Sequence, residues 1–151
     1  MLLAYRLPRE PSTPRIALWR KLRRLGAAQV LDGLAALPLD ARNREQFEWL
    51  AEEVVEAGGD ASIWLGELSS AAQERDLARR LAEAVADEYR ALIATATAAR
   101  EQAPGQRRRT LGRLRRELRR IRARDYFPPP ERELALRAFD DLAALVEELA
   151  R

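Results

Sequence analysis

The first 65 residues alternate between strand-like and helix-like hydrophobic spacing, and that alternation limits the fold more than any other feature of the chain. An apolar run, Leu2-Leu3-Ala4-Tyr5, stops at Leu7-Pro8-Arg9-Glu10-Pro11-Ser12-Thr13-Pro14. The three prolines make a stiff loop, and Ser12 or Thr13 can cap the next helix. The spacing predicts a basic helix over 15–26, with Leu18, Trp19, Leu22 and Leu25 on one side and Arg20, Lys21, Arg23 and Arg24 elsewhere. Residues 27–37 read as two short strands turned at Asp32-Gly33, a dipeptide suited to positive φ. A second helix is expected from about Asn43 to Ala57. Its apolar face is Phe47, Leu50, Ala51, Val54 and Gly58, and Glu45, Glu48, Glu52, Glu53 and Glu56 surround the rest. Gly58-Gly59-Asp60 ends it, and Ala61–Leu65 reads as the last strand.

That order, βαββαβ, builds a small ferredoxin-like sandwich over residues 1–68. Its antiparallel sheet would have four strands, with Trp19 and Phe47 on the covered face. After Leu68 the chain changes character. Ser69-Ser70 offers a cap, and three helices are expected over about 71–100, 106–124 and 131–150. Their larger apolar residues are Leu77, Leu81, Val85, Tyr89, Leu92 and Ile93 in the first, then Leu111, Leu114, Leu118 and Ile121. The last presents Ala135, Phe139, Leu142, Val146 and Leu149. Pro104-Gly105 breaks the pattern, and Asp125–Pro130 reads as a rigid connector. The expected fold class is therefore α+β: a ferredoxin-like N-terminal half, 1–68, packed with a C-terminal α-helical bundle, 69–151.

Composition excludes several chemistries. The 151 residues contain no cysteine and no histidine. Disulfides, thiolate metal sites, thiol redox sensing and serine-histidine or cysteine-histidine nucleophiles are thereby ruled out. A carboxylate-only magnesium site remains open in principle. No catalytic apparatus is evident, so the chain is not expected to be an enzyme, nor to hold a cofactor or metal. The first apolar run is too short for a signal segment or a membrane span. No membrane contact is expected, and the expected location is the cytoplasm.

The net charge of +3 conceals a segregation. Residues 107–124 hold ten arginines and one acid, Glu117, a local charge of +9 that leaves −6 for the rest of the chain. A helix of this length would present a stripe about 28 Å long. Arg108, Arg113, Arg115, Arg116, Arg119 and Arg120 are the candidate nucleic-acid-binding residues, able to follow a phosphate backbone. The other reading is a solvated stripe partly neutralised by Glu74, Glu83, Asp87, Glu88, Asp140, Asp141, Glu147 and Glu148. No aromatic residue interleaves the arginines, which disfavours single-strand stacking there. No helix-turn-helix pattern stands out.

The segments Leu3-Ala4-Tyr5-Arg6-Leu7-Pro8-Arg9-Glu10-Pro11-Ser12, Pro14-Arg15 and Leu18-Trp19-Arg20-Lys21-Leu22-Arg23-Arg24-Leu25-Gly26-Ala27 resemble the start of ChrB proteins, chromate-resistance proteins regarded as transcriptional regulators. The resemblance continues through Leu37-Pro38, Glu48-Trp49-Leu50, Gly58-Gly59, Asp87-Glu88-Tyr89 and Arg119–Phe127. It implies a regulatory module in chromate resistance associated with duplex DNA. The family's C-terminal domain is not found in this sequence, so the resemblance implies the N-terminal domain alone. The alternative is a protein–protein interaction or dimerisation module that pairs with a separately encoded ChrB C-terminal domain acting as sensor. More distantly, residues 1–65 look like the ferredoxin-like domain of PaaX-type repressors and CRISPR-associated adaptation proteins. Those relatives imply a homodimer. The latter hold metal with an acid at the end of the first strand, where this chain reads Tyr5-Arg6.

Two further groups have alternative roles. Arg6, Arg9, Arg15, Arg20, Arg23 and Arg24 could gather around an oxyanion or phosphate, since guanidinium forks suit such oxygens. They could equally form a solvated face paired with Glu10 and the acids of the second helix. Trp19, Trp49 and Trp64 are expected in the core.

Overall fold

The computed structural model describes residues 1–148. The chain divides into two compact units, Met1–Leu81 and Ala82–Arg151. The first begins with β1 (Leu2–Arg6), α1 (Thr13–Leu25), β2 (Ala28–Leu31), β3 (Leu34–Ala36), α2 (Ala41–Glu56) and β4 (Asp60–Trp64). The four strands make one antiparallel sheet in the order β2-β3-β1-β4. Leu3 stands opposite both Ala35 and Ile63, so these three share one face of the pleat. Leu3 and Ala35 are fully buried there, as is Phe47 of α2, which packs on β1 and β4.

Local chemistry explains the boundaries. Asp40 caps α2, its Oδ1 accepting from the backbone N–H of Asn43 at 2.7 Å. The buried Asn43 side chain donates to the Pro38 carbonyl at 3.0 Å, which ties the cap to the preceding loop. Ser12 occupies the N-cap position of α1 but makes no side-chain cap bond, and Pro14 in the first turn supplies the helical φ instead. Two glycines are obligatory. Gly33 has φ +78°, and a Cβ there would lie 2.5 Å from the Tyr5 carbonyl oxygen. A Cβ on Gly59 would lie 2.2 Å from the Arg6 carbonyl oxygen. Both allow one backbone to approach β1 closely.

The tryptophans correct the expected core. Trp19, Trp49 and Trp64 are 51%, 53% and 60% exposed, whereas Phe47 is wholly buried. Trp19 is therefore not on the covered face of the sheet. The reason is spacing. Leu18 and Leu22 form the buried line of α1, and Trp19 follows Leu18 by one residue, about 100° around the helix. Trp49 is displaced in the same way from the line of Phe47, Leu50 and Val54. Trp64 alternates with Ile63 and turns to the other face, where its Nε1 donates to Ser62 Oγ at 2.8 Å.

α3 (Ala71–Ala99) runs from the first unit into the second. Within the first unit its Arg80 donates to the Gln29 carbonyl of β2 at 2.6 Å. The second unit is helical, built from the rest of α3, α4 (Pro104–Ala123) and α5 (Glu131–Glu148). Its core is one cluster: Val85, Tyr89, Leu92, Ala96 and Ala99, then Leu111, Leu114, Leu118 and Ile121, then Ala135 and Leu142. Phe139 and Val146 are half-buried against it, and Leu149 lies outside the described residues. Pro104, expected to break the helical pattern, instead opens α4, where its missing N–H would have had no partner.

Candidate nucleic-acid interface

α4 separates its apolar and basic residues by helical spacing. Leu111, Leu114, Leu118 and Ile121 are buried, and Thr110 beside them donates to Gln102 Oε1 at 2.9 Å. Arg108, Arg113, Arg115, Arg116, Arg119 and Arg120 are all exposed, together with Arg109 and Arg122. None of these eight has an ion pair among the described residues. Arg115 lies 5.9 Å above the Phe139 ring, which props one guanidinium against the surface of α5. The six candidates thus lie on one exposed side of a 20-residue helix, about 30 Å long. That surface can offer many guanidinium donors to a polyanion.

Two of the ten arginines have other work. Arg107 donates to three carbonyls near the end of α3: Ala99 at 3.4 Å, Arg100 at 2.6 Å and Gln102 at 2.9 Å. These are acceptors that a helix C-terminus leaves unpaired. Arg124 clasps the Glu88 carboxylate of α3 through Nε at 3.0 Å and through Nη2. Glu88 is one of the acids named as able to neutralise part of the stripe, whereas spacing gave no sign of the Arg107 assignment.

A buried polar group lies at the junction of α3 and the connector. Tyr89 is fully buried, and its hydroxyl donates to Asp125 Oδ2 at 2.7 Å. The Asp125 side chain is 1% exposed, and Arg132 Nη1 stands 3.9 Å from the same oxygen. Burial, and then the bond to Asp125, push the Tyr89 phenol far above its ordinary value. Glu88-Tyr89 and Arg124-Asp125 therefore act as a clamp within the helical unit.

The six candidate oxyanion-binding arginines sit on three supports. Arg6, at the end of β1, pairs with Asp60 across the strand register at 2.7 Å. Arg9 lies in the following loop. Arg15, Arg20, Arg23 and Arg24 are exposed on α1, and the Arg23 guanidinium lies 4.8 Å over the Trp19 ring. Adjacent Arg23 and Arg24 point about 100° apart. No group of three or more carboxylates among the described residues could hold a metal ion. No helix among them is long and apolar enough to cross a membrane.

The family model for the N-terminal region of protein ChrB matches residues 15–103, more than half of the chain. The chain belongs to the ChrB N-terminal family. Membership suggests a regulatory protein associated with chromate resistance. No curated protein and no solved structure matches the chain. The ChrB match runs from α1 through the end of α3 and stops just before α4. The exposed arginines of α4 lie outside the matched residues.

Proposed function

We propose that this ChrB-family chain is a nucleic-acid-associated transcriptional regulator without enzymatic activity, and that α4 supplies its contact to duplex DNA. The observation that carries the reading is the side of α4 on which eight exposed arginines have no ion pair, while its leucines are sealed in the core. Arginines placed this way displace condensed counterions from phosphates, which favours binding at low salt. Contacts of this kind position a protein on the backbone and carry little base information. The βαββαβ order and the β2-β3-β1-β4 arrangement support reading the first unit as ferredoxin-like.

The test replaces Arg115, Arg116, Arg119 and Arg120 with Gln. Glutamine keeps good helix propensity and leaves the buried leucines in place. Duplex binding should weaken, and the slope of log K against log salt should flatten by about 3–4, near 0.9 per lost contact. A folded variant with unchanged affinity and slope would remove α4 from the interface. A parent chain that fails to bind duplex DNA at low salt would favour the second reading, an interaction module that pairs with a sensor domain. The half-exposed Trp19, Trp49 and Trp64 favour that second reading, because large aromatic groups at a surface are frequent anchors of protein contacts.

A further inference from the structure

The outer surface of the helical layer in the first unit is divided by charge. α1 carries Arg15, Arg20, Lys21, Arg23 and Arg24 and no acid. With Leu18 and Leu22 turned inward, α1 presents Ile16, Trp19, Arg20 and Arg23 as one ridge, all exposed. α2 runs beside it, joined to it by the Lys21–Glu53 pair at 2.5 Å. With Phe47, Leu50 and Val54 inward, α2 presents Glu45, Trp49, Glu52 and Glu56. Arg20, Glu45, Glu52 and Glu56 have no ion pair among the described residues. Beside α2 lies a shallow groove of about 360 Å³, lined by Ala51, Glu52, Val55, Glu56 and Ala61. Its lining combines the apolar side chains of Ala51, Val55 and Ala61 with the carboxylates of Glu52 and Glu56. An indole flanked by guanidinium groups has the complementary composition, and α1 displays that combination in Trp19 with Arg20 and Arg23.

We propose that this layer docks on the same layer of a second copy of the chain, with the Trp19, Arg20 and Arg23 ridge of each α1 seated on the Ala51–Glu56 groove of the other copy's α2. The arrangement is isologous: each copy gives one basic ridge and receives one, so both grooves are filled and the pair closes. Trp19 supplies the desolvated anchor and the arginine–glutamate contacts set the register. A nucleic-acid strand could use the basic ridge but would leave the acidic groove of α2 unfilled, whereas a second copy satisfies both charges. The contact does not depend on DNA binding by α4, whose residues all the test substitutions leave unchanged.

Two charge-reversed forms of the full chain test it: Arg20→Glu with Arg23→Glu, and Glu52→Arg with Glu56→Arg. Light scattering of the parent should give twice the 17.2 kDa chain mass at micromolar concentration. Each reversed form should dissociate at least about a hundredfold more readily, since like charges then face each other at both symmetric contacts. An equimolar mixture of the two should recover the dimer, because every ridge and groove is then matched. Trp19→Ala alone, which keeps all charges, should also weaken the dimer. Circular dichroism checks that each form is folded, and the recovery in the mixture confirms it independently. A monomeric parent would overturn the proposal. So would reversed forms that stay dimeric, or a mixture that stays monomeric. Loss of DNA binding in the α1 form with no change of mass would overturn it too and assign the ridge to nucleic acid.

Discussion

Replacing Tyr89 with Phe removes one oxygen atom from the centre of the helical unit, and the consequence can be worked out at two pH values. At neutral pH the hydroxyl donates to Asp125 Oδ2 at 2.7 Å from a fully buried ring. Without it, Asp125 keeps only Arg132, 3.9 Å away, and its Oδ1 already has no hydrogen-bond partner. A buried polar group deprived of its partner costs about 1–3 kcal/mol. The helical unit should lose that much stability at pH 7, with the ring packing against Leu92 and its neighbours otherwise unchanged. At alkaline pH the balance shifts. In the unfolded chain Tyr89 ionises near about 10. In the folded chain burial, and then the Asp125 bond, hold the proton to higher pH. Between those two values the unfolded state has released a proton that the folded state retains, so stability falls as pH rises. The hydroxyl's contribution is complete below about pH 10 and is lost as the pH climbs through the folded value. The advantage of the parent over Tyr89→Phe should shrink by about 1 kcal/mol between pH 10 and pH 11. Urea unfolding of both proteins at stepped pH measures this directly, and the other two tyrosines cancel in the difference. A difference that stays constant to pH 11, or no difference at pH 7, would refute the account of the Tyr89–Asp125 clamp.

Arg107→Ala should cost about 1–3 kcal/mol, because three carbonyls near the end of α3 lose their charged donor, while the salt slope of duplex DNA binding changes by less than about one. Thermal unfolding and salt-titrated binding on the same variant separate these effects. Gly59→Ala should destabilise the sheet unit by more than about 2 kcal/mol, since its Cβ meets the Arg6 carbonyl oxygen at 2.2 Å and two backbones must move apart. Denaturant unfolding checks it, and a variant as stable as the parent would contradict the packing of β4 against β1.

The alternation of strands and helices before Leu68 was legible because it is written in periods, two and 3.6, that depend on many residues at once. The same pattern correctly assigned Phe47, Leu50, Leu114 and Leu118 to buried lines. Side-chain size proved a poorer guide than spacing. Trp19 and Trp49 are larger than the leucines beside them, but each sits one residue off the buried line and therefore faces outward. An exposed tryptophan in a helix with a complete leucine seam is thus informative about surfaces rather than cores. The charge of α4 had a parallel limit. Counting arginines gave +9 for residues 107–124, but two of the ten, Arg107 and Arg124, are bound to α3 and its end through carbonyls and a carboxylate. Partners of that kind are created by the fold and cannot be found by counting charges along the chain. What spacing did convey was the sidedness of the remainder. A helix that buries residues 111, 114, 118 and 121 must display 108, 115, 119 and 122 on one flank and 109, 113, 116 and 120 on the other. Two rows of guanidinium groups on one exposed side can grip phosphates on either side of a groove, which a single row could not. If α4 binds duplex DNA as proposed, each row should contribute its own share of the released counterions. Substitutions confined to one row should halve the salt slope lost when both rows are changed.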